Sequence, residues 1–181
     1  MDRGSLSIGD VAGDADLHTA RGEIEARRIG GSLRARGSRS PIYVYDIGGR
    51  GELSTVSGDV LVEECAGNLQ VKVVGGNVDV IRAGADLFVS ARRGNIMVRV
   101  GESPPGIRYE LVSDRGDIDL ALPGDWGVRI DGFTGSGTIQ CFLPIVIEEI
   151  ARNRLAGIAG EGGSEVRLDS RTGDIRVSRT D

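Results

Sequence analysis

From residue 4 to about residue 100, small and apolar residues recur along the chain with a period of nine. Each nine-residue unit starts with glycine or another small residue, and the residues two and four positions later are apolar except for Gly51. A third apolar position comes seven residues after the small residue and is expected to mark an inward corner after a turn, as at Ile29, Ile47, Val56, Cys65 and Val74. Side chains two residues apart lie on the same face of a β-strand. An α-helix is excluded, because its period of 3.6 residues would not keep these positions on one face. The pattern predicts short strands separated by turns.

Alternate units differ in the first apolar residue, so the repeat is eighteen residues long. One wall carries β-branched residues and the other carries leucines. These are Ile24, Ile42, Val60, Val78 and Ile96 on the β-branched wall, and Leu33, Leu69 and Leu87 on the leucine wall. Self-similarity at such a period is typical of stacked coils. We therefore predict an all-β fold, a single-stranded parallel β-solenoid (β-helix) with about 18 residues per coil in the first half.

The strict period ends at Val100, although the alternation of apolar and polar residues continues. Pro104-Pro105-Gly106 and Pro123-Gly124-Asp125 lengthen the turns, which predicts longer and irregular coils after residue 100. Large side chains are expected to fill these coils, namely Trp126, Phe133 and Phe142. The prediction is one domain over residues 1–181, with regular coils over 1–100 and wider coils plus a closing segment over 101–181.

Residues 144–163 are ambiguous in sequence. Ile145-Val146-Ile147 is rich in β-branched residues, whereas Ile147, Ile150 and Leu155 have spacings that a helix would also allow. We expect a strand followed by a loop that returns to the stack, with a short helix as the alternative.

Composition excludes several classes of function. The net charge of −5 comes from interspersed acids and bases, so nucleic-acid binding through a basic stripe is not expected. No run of apolar residues is long enough for a membrane helix, and the first residues carry no signal-peptide core. With Cys65 and Cys141 as its two cysteines, the chain has no disulfide framework, and both are expected to be free and buried.

The sequence predicts no metal or cofactor site. His18 is the only histidine, so zinc lacks a ligand set. Calcium-binding solenoids repeat an acidic residue at one position, and no column of this chain is consistently acidic. Asp59, Asn77 and Asn95 follow the small residue of their units and are interpreted as polar residues that cap turns.

The most promising surface feature is an apolar strip on the β-branched wall. Side chains between the inward-facing ones should point outward, and five of them are apolar or aromatic on neighbouring coils. This contact strip consists of Tyr43, Tyr45, Leu61, Ile81 and Met97. A contiguous apolar patch on a surface indicates a contact site. We expect it to bind a protein partner or a second copy of the chain.

Other candidates are weaker. Enzymes on β-helices need carboxylates on neighbouring coils. Asp14 with Asp16, and Glu63 with Glu64, have no acidic residue eighteen positions later in the chain, so no enzyme is predicted. Arg115-Gly116-Asp117 resembles an adhesion tripeptide but is interpreted as one more turn. The N-terminal edge lacks a cap, so we expect an upstream segment or another chain to cover it.

Four short motifs and the final residues carry a family resemblance. Ser57-Gly58-Asp59-Val60, Arg115-Gly116-Asp117-Ile118, residues 135–139 and Thr172-Gly173-Asp174-Ile175, with the glycine-rich ending, resemble the bacterial adhesin-like family filed as domain of unknown function 4097. The resemblance implies a non-enzymatic scaffold or binding module of the bacterial cell envelope, for which carbohydrate is also a conceivable ligand.

The strict regularity of the first half is also similar to bactofilins, which are bacterial β-helical scaffolds that polymerise. That likeness implies a self-assembling structural protein as the alternative. A polysaccharide-acting enzyme is the third and least favoured interpretation. Localisation in the envelope rests on the resemblance alone.

Overall fold

The computed structural model of the protein describes residues 4–101 and 105–180, and nineteen strands are found in this part of the chain. The regular half contains β1 (Leu6–Val11), β2 (Ala15–Arg21), β3 (Ile24–Ile29), β4 (Leu33–Arg39), β5 (Ile42–Ile47), β6 (Gly51–Ser57), β7 (Val60–Cys65), β8 (Leu69–Gly75), β9 (Val78–Ala83), β10 (Leu87–Ala91) and β11 (Ile96–Arg99). The second half contains β12 (Arg108–Ser113), β13 (Ile118–Leu122), β14 (Val128–Thr134), β15 (Ile139–Cys141), β16 (Ile145–Ala151), β17 (Arg154–Ala159), β18 (Ser164–Ser170) and β19 (Ile175–Arg179).

The strands form two sheets that enclose one aliphatic core. The first sheet has nine strands in the order β1-β3-β5-β7-β9-β11-β13-β19-β15, and the second has ten in the order β16-β17-β14-β18-β12-β10-β8-β6-β4-β2. Neighbouring strands of the regular half are parallel, and each residue pairs with the one eighteen positions later, as Ile42 does with Val60. The predicted all-β parallel solenoid with coils of about 18 residues is confirmed.

The two sheets differ in the backbone conformation that turns their apolar side chains inward. In strands β1, β3, β5, β7 and β9 of the first sheet, a non-glycine residue with positive φ interrupts the strand and shifts the alternation, so that the next apolar residue points inward again. These residues are Asp10, Arg28, Asp46, Glu64 and Arg82. Ile29, Ile47 and Cys65 are therefore buried seven positions after the small residue, as the apolar pattern indicates.

On the second sheet the pattern misleads. Here the third inward residue comes six positions after the small residue, where Thr55 and Val73 are buried. Val56 and Val74, which the sequence pattern places inward, are exposed. These strands carry no positive-φ residue, so plain alternation continues to their ends.

Beyond residue 100 the coil lengthens by four residues, because Leu87 pairs with Tyr109 and Ile96 with Ile118. Tyr109 is fully buried, its hydroxyl donates to the carbonyl of Ala83 at 2.7 Å, and its ring lies 5.6 Å from that of Trp126. Trp126 packs against the core as expected. Phe133 and Phe142 do not fill the later coils, because both are exposed.

The last coil is inserted between two coils that precede it in sequence. β18 lies between β12 and β14, and β19 lies between β13 and β15, all in parallel. The chain therefore skips one layer after β13 and fills it with its final two strands. Nothing in the nine-residue period predicts this order.

Residues 145–159 form an antiparallel hairpin, not a strand followed by a loop. β17 pairs with β14 on one side and with β16 on the other, both antiparallel. The predicted strand at Ile145 is present, and the segment expected to be a loop contains β17. The hairpin thus continues the second sheet beyond the last coil.

A column of aspartate and asparagine side chains links the turns of successive coils. The side chain of one coil accepts a hydrogen bond from the backbone amide of the next, at 2.7–2.9 Å. The acceptors, in stacking order, are Asp59, Asn77, Asn95, Asp117 and Asp174. The interpretation of the first three as turn caps is confirmed, and the 115–117 tripeptide is one turn of this column.

Gly76 illustrates why the repeat needs glycine beside that column. Its φ is +144°, and a methyl group added there would overlap the carbonyl oxygen of Gly58 in the preceding coil. Its neighbour Gly75 has no such φ, and a methyl group there would make an ordinary contact of 3.6 Å with the carbonyl of Val56.

We predict that Gly76→Ala lowers the free energy of unfolding by at least about 2 kcal/mol, because it combines backbone strain with a clash against fixed backbone. The matched control Gly75→Ala should change it by no more than about 0.5 kcal/mol. Denaturant unfolding followed by circular dichroism measures both. Equal losses in the two variants would show that stacking at Gly76 is not the constraint.

Candidate functional site: the outer face of the first sheet

The five residues of the contact strip lie together on the outer face of the first sheet. Tyr43 pairs with Leu61 across β5 and β7, and Tyr45 lies two residues further along β5. Ile81 of β9 pairs with Arg99, and Met97 precedes that arginine by two residues on β11. Tyr43, Tyr45, Leu61 and Ile81 are half-buried and Met97 is exposed, so all five reach solvent. The five residues therefore share one outward surface of the first sheet.

Asp79 lies in the middle of this strip, and the sequence analysis did not select it. It pairs with Leu61 on one side and with Met97 on the other, so that two apolar side chains flank its carboxylate. Its Oδ1 atom is buried and has no hydrogen-bond partner among the described residues. A buried acceptor without a donor is costly and uncommon in proteins.

The surroundings of Asp79 disfavour its charged form. Burial raises the pKa of the Asp79 carboxyl, the guanidinium of Arg99 opposes this shift, and the charge of Glu63 adds to it. Glu63 and Asp79 are sixteen residues apart, so they are diagonal neighbours, which a search at intervals of eighteen misses. The carboxylates of Glu63 and Asp79 therefore lie on neighbouring strands of this face, although no pair of carboxylates was predicted there.

Two arginine side chains lie at opposite edges of the strip. The guanidinium of Arg27 lies 4.9 Å from the centre of the Tyr45 ring and also pairs with Glu25. On the other side of the strip, a terminal nitrogen of Arg99 donates to the sulfur of Met97 at 3.2 Å. The strip is therefore an apolar surface that two acids, Glu63 and Asp79, interrupt and that arginines border.

The outer face of the second sheet also carries charges that neutralise one another. Arg34 and Arg36 both lie within ion-pair distance of Glu52, and Arg108 pairs with Glu165. The first pairing lowers the pKa of the Glu52 carboxyl, mainly through the hydrogen bond from Arg34. Exposed ion pairs of this kind add little stability but leave the face well hydrated. Among the described residues, the other buried side-chain atoms without a hydrogen-bond partner belong to Ser40, Ser113 and Trp126, so Asp79 is the only carboxylate of this kind.

The two cysteines, which are the remaining candidates, belong to no metal-binding group among the described residues. Cys65 is buried and free, its thiol donates to the carbonyl of Gly67 at 3.3 Å, and burial raises its pKa to about 11. Cys141 is free and half-buried. Residues 4–101 and 105–180 contain no group of three or more side chains able to hold a metal ion. The same residues contain no helix with the length and hydrophobicity that a membrane crossing requires.

The fold defines the protein as a two-sheet parallel β-solenoid decorated on one outer face. The family model described as Toastrack DUF4097 matches residues 1–178. The chain therefore belongs to the Toastrack DUF4097 family, as the motifs around Asp59, Asp117 and Asp174 indicated. The comparison with curated proteins and the comparison with solved structures found no match.

We predict that Asp79→Asn stabilises the protein at neutral pH. A carboxyl whose folded-state pKa is raised costs stability once the pH exceeds its unfolded-state value, because the folded form then binds more protons than the unfolded form. The amide removes this cost, and Tm should rise by up to about 3 °C at pH 7.

The gain should disappear as the pH falls below the ordinary range of an aspartate. Thermal unfolding between pH 3 and pH 8, followed by circular dichroism, measures the difference. Asp119→Asn is the matched control on the same outward column, and it should show no such pH-dependent gain. A destabilising effect of Asp79→Asn at pH 7 would contradict the interpretation.

Proposed function

We propose that the protein is a non-enzymatic, adhesin-like binding module of the bacterial cell envelope whose contact strip docks a protein partner. The observation that carries the proposal is the buried, unpartnered oxygen of Asp79 inside an apolar strip. Natural surfaces keep such groups where a ligand supplies the missing partner. The envelope location is supported by the resemblance to bacterial adhesin-like proteins.

The chemistry of the strip describes the partner it would accept. Leu61, Ile81 and Met97 would bury apolar side chains of the partner, and the rings of Tyr43 and Tyr45 offer flat contact area at low entropic cost. Asp79 would accept a hydrogen bond from an arginine, a lysine or an amide of the partner. A donor delivered to a desolvated carboxylate adds specificity as well as affinity. Carbohydrate, which also stacks on tyrosine rings, is the other ligand that the strip could hold.

A second candidate is a self-assembling, bactofilin-like structural protein. It is favoured by the open N-terminal end of the described stack, where β1 and β2 each have a neighbour on one edge only. Leu6, Ile8 and Leu17 are only half-buried there. Unpaired strand edges can add strands from another chain.

We predict that Tyr43→Glu combined with Leu61→Glu removes partner binding without loss of folding, because both positions face outward. The probe is a detergent extract of the source organism's cell envelope passed over immobilised protein. Proteins retained by the wild type should bind the double variant at least about tenfold less, a loss of 1.4 kcal/mol or more.

The matched control is Val56→Glu, which places an acid on an exposed valine of the second sheet. It should retain the same envelope proteins as the wild type. Electron microscopy across concentration should show discrete particles. Equal retention by the strip variant and the control would refute the contact strip, and concentration-dependent filaments would favour the self-assembling alternative.

A further inference from the structure

The C-terminal end of the solenoid is stepped. The first sheet ends with β15 as its ninth strand, whereas the second sheet continues through β17 to β16 as its tenth. β16 therefore has no strand opposite it in the first sheet. In the part of the chain that the structure describes, the outer edges of β15 and β16 have no strand neighbour.

Exposed apolar side chains are concentrated at this step. Phe142 is 56% exposed, Val146 74%, Ile147 52% and Ile150 70%. In an antiparallel pair, opposite residues share a face. Ile147 pairs with buried Gly157, and Ile150 pairs with buried Leu155, so both isoleucines lie on the core side of the sheet. They are exposed because the opposite wall ends before reaching them.

The charges on β16 do not protect its edge. Charged side chains normally block the pairing of exposed edge strands. Here Glu148 pairs with Arg129 at 2.6 Å, and Glu149 lies 3.5 Å from Arg154. Both acids are thus at least partly neutralised within the chain. A long edge strand with exposed isoleucines and compensated charges is a template for a further strand.

We propose that this step binds the same step of a second copy, giving a closed two-fold dimer in which β16 of each copy pairs with β15 of the other. A two-fold axis parallel to the strands places the second sheet of one copy in line with the first sheet of the other. The projecting hairpin of one copy therefore continues the first sheet of its partner. β16 runs with the rest of the second sheet, because two antiparallel pairings separate it from β14. Strands of the two sheets run in opposite directions around each coil. The new pairing is therefore antiparallel.

The pattern of side chains fits this pairing. If Phe142 lies opposite Val146 of the second copy, then Cys141 lies opposite Ile147, and both pairs match outward with outward and inward with inward. The bulge between Ile147 and Glu149 takes up one residue, so Ile139 comes opposite Ile150. Ile139 and Cys141 already pack against the core, so the pairing extends the aliphatic interior across the joint.

Charge is complementary on the outward side. Arg176 pairs in register with Gln140, and its guanidinium lies 5.2 Å from the centre of the Phe142 ring. In the proposed pairing Glu149 of the second copy lies opposite Gln140, next to this arginine. The proposed dimer interface leaves the contact strip uncovered. Because the interface is isologous, it closes at two copies and forms no filament. It goes beyond the proposed function and can fail independently of it.

Sedimentation equilibrium tests the joint. The wild type should reach a dimer at about 100 µM, and Ile150→Glu should weaken association at least about tenfold because it buries a charge at the joint. Val56→Glu should dimerise like the wild type. A monomer at all concentrations, assembly beyond the dimer, or a dimer unaffected by Ile150→Glu would overturn the proposal.

A disulfide cross-link tests the register. Ile147→Cys should form a covalent dimer with native Cys141 of the second copy under mild oxidation, because directly opposed residues in antiparallel strands have Cα atoms about 4.5–5.5 Å apart, within the roughly 4.4–6.8 Å that a disulfide spans. Adding Cys141→Ser should abolish the band. Val56→Cys, an exposed control, should give none beyond collisional background. Covalent dimer equal to the Val56→Cys control, or its persistence without Cys141, would refute the β15 to β16 pairing.

Discussion

The whole structure depends on vertical register, in which each residue lies directly above its counterpart one coil away. The tightest point of that register is the column of glycines, where the backbone of one turn passes against the carbonyl of the turn below. At Gly76 no side chain fits, and the amide of the same residue donates to the carbonyl of Arg93 in the next coil. Because the turns cannot slip, the side chains between them stack in columns, and buried and exposed columns alike acquire a fixed neighbour.

Stacking explains why the two outer faces differ in what they can bind. On the second sheet, arginines and acids occupy adjacent coils and neutralise one another, as Arg34 and Glu52 do. On the first sheet, Leu61, Asp79 and Met97 share one column, so the carboxylate has apolar neighbours above and below it. Alternation within a strand cannot produce this effect. It results from the order of residues eighteen positions apart.

The sequence predicted the coils of the first half and the outward strip because both depend on local periodicity. It failed where the outcome depends on backbone conformation or on distant pairing. Val56 and Val74 are exposed because the second sheet lacks the positive-φ residue that turns Ile47 and Cys65 inward. The hairpin of β16 and β17 could not be recognised, since an apolar run such as 145–147 is compatible with a strand or a helix. Asp79 was missed because its unfavourable setting depends mainly on burial between Leu61 and Met97 of the adjacent coils, and to a smaller extent on Glu63, a diagonal neighbour.

The inserted coil is the least local feature, and the hairpin beyond it determines the shape of the C-terminal end. β18 pairs with β12 across 57 residues of sequence, as Arg108 does with Glu165, and no repeat period encodes that separation. Such long-range pairing must wait for the last residues of the chain, since loop closure is costly before the contacts form. Because β18 and β19 fill the layer skipped after β13, the coil of β14 and β15 lies one layer closer to the C-terminal end of the stack. The hairpin that pairs with β14 lies beyond it. The insertion adds one strand to each sheet, so the step at the end of the stack comes from the hairpin, which adds β17 and β16 to the second sheet alone.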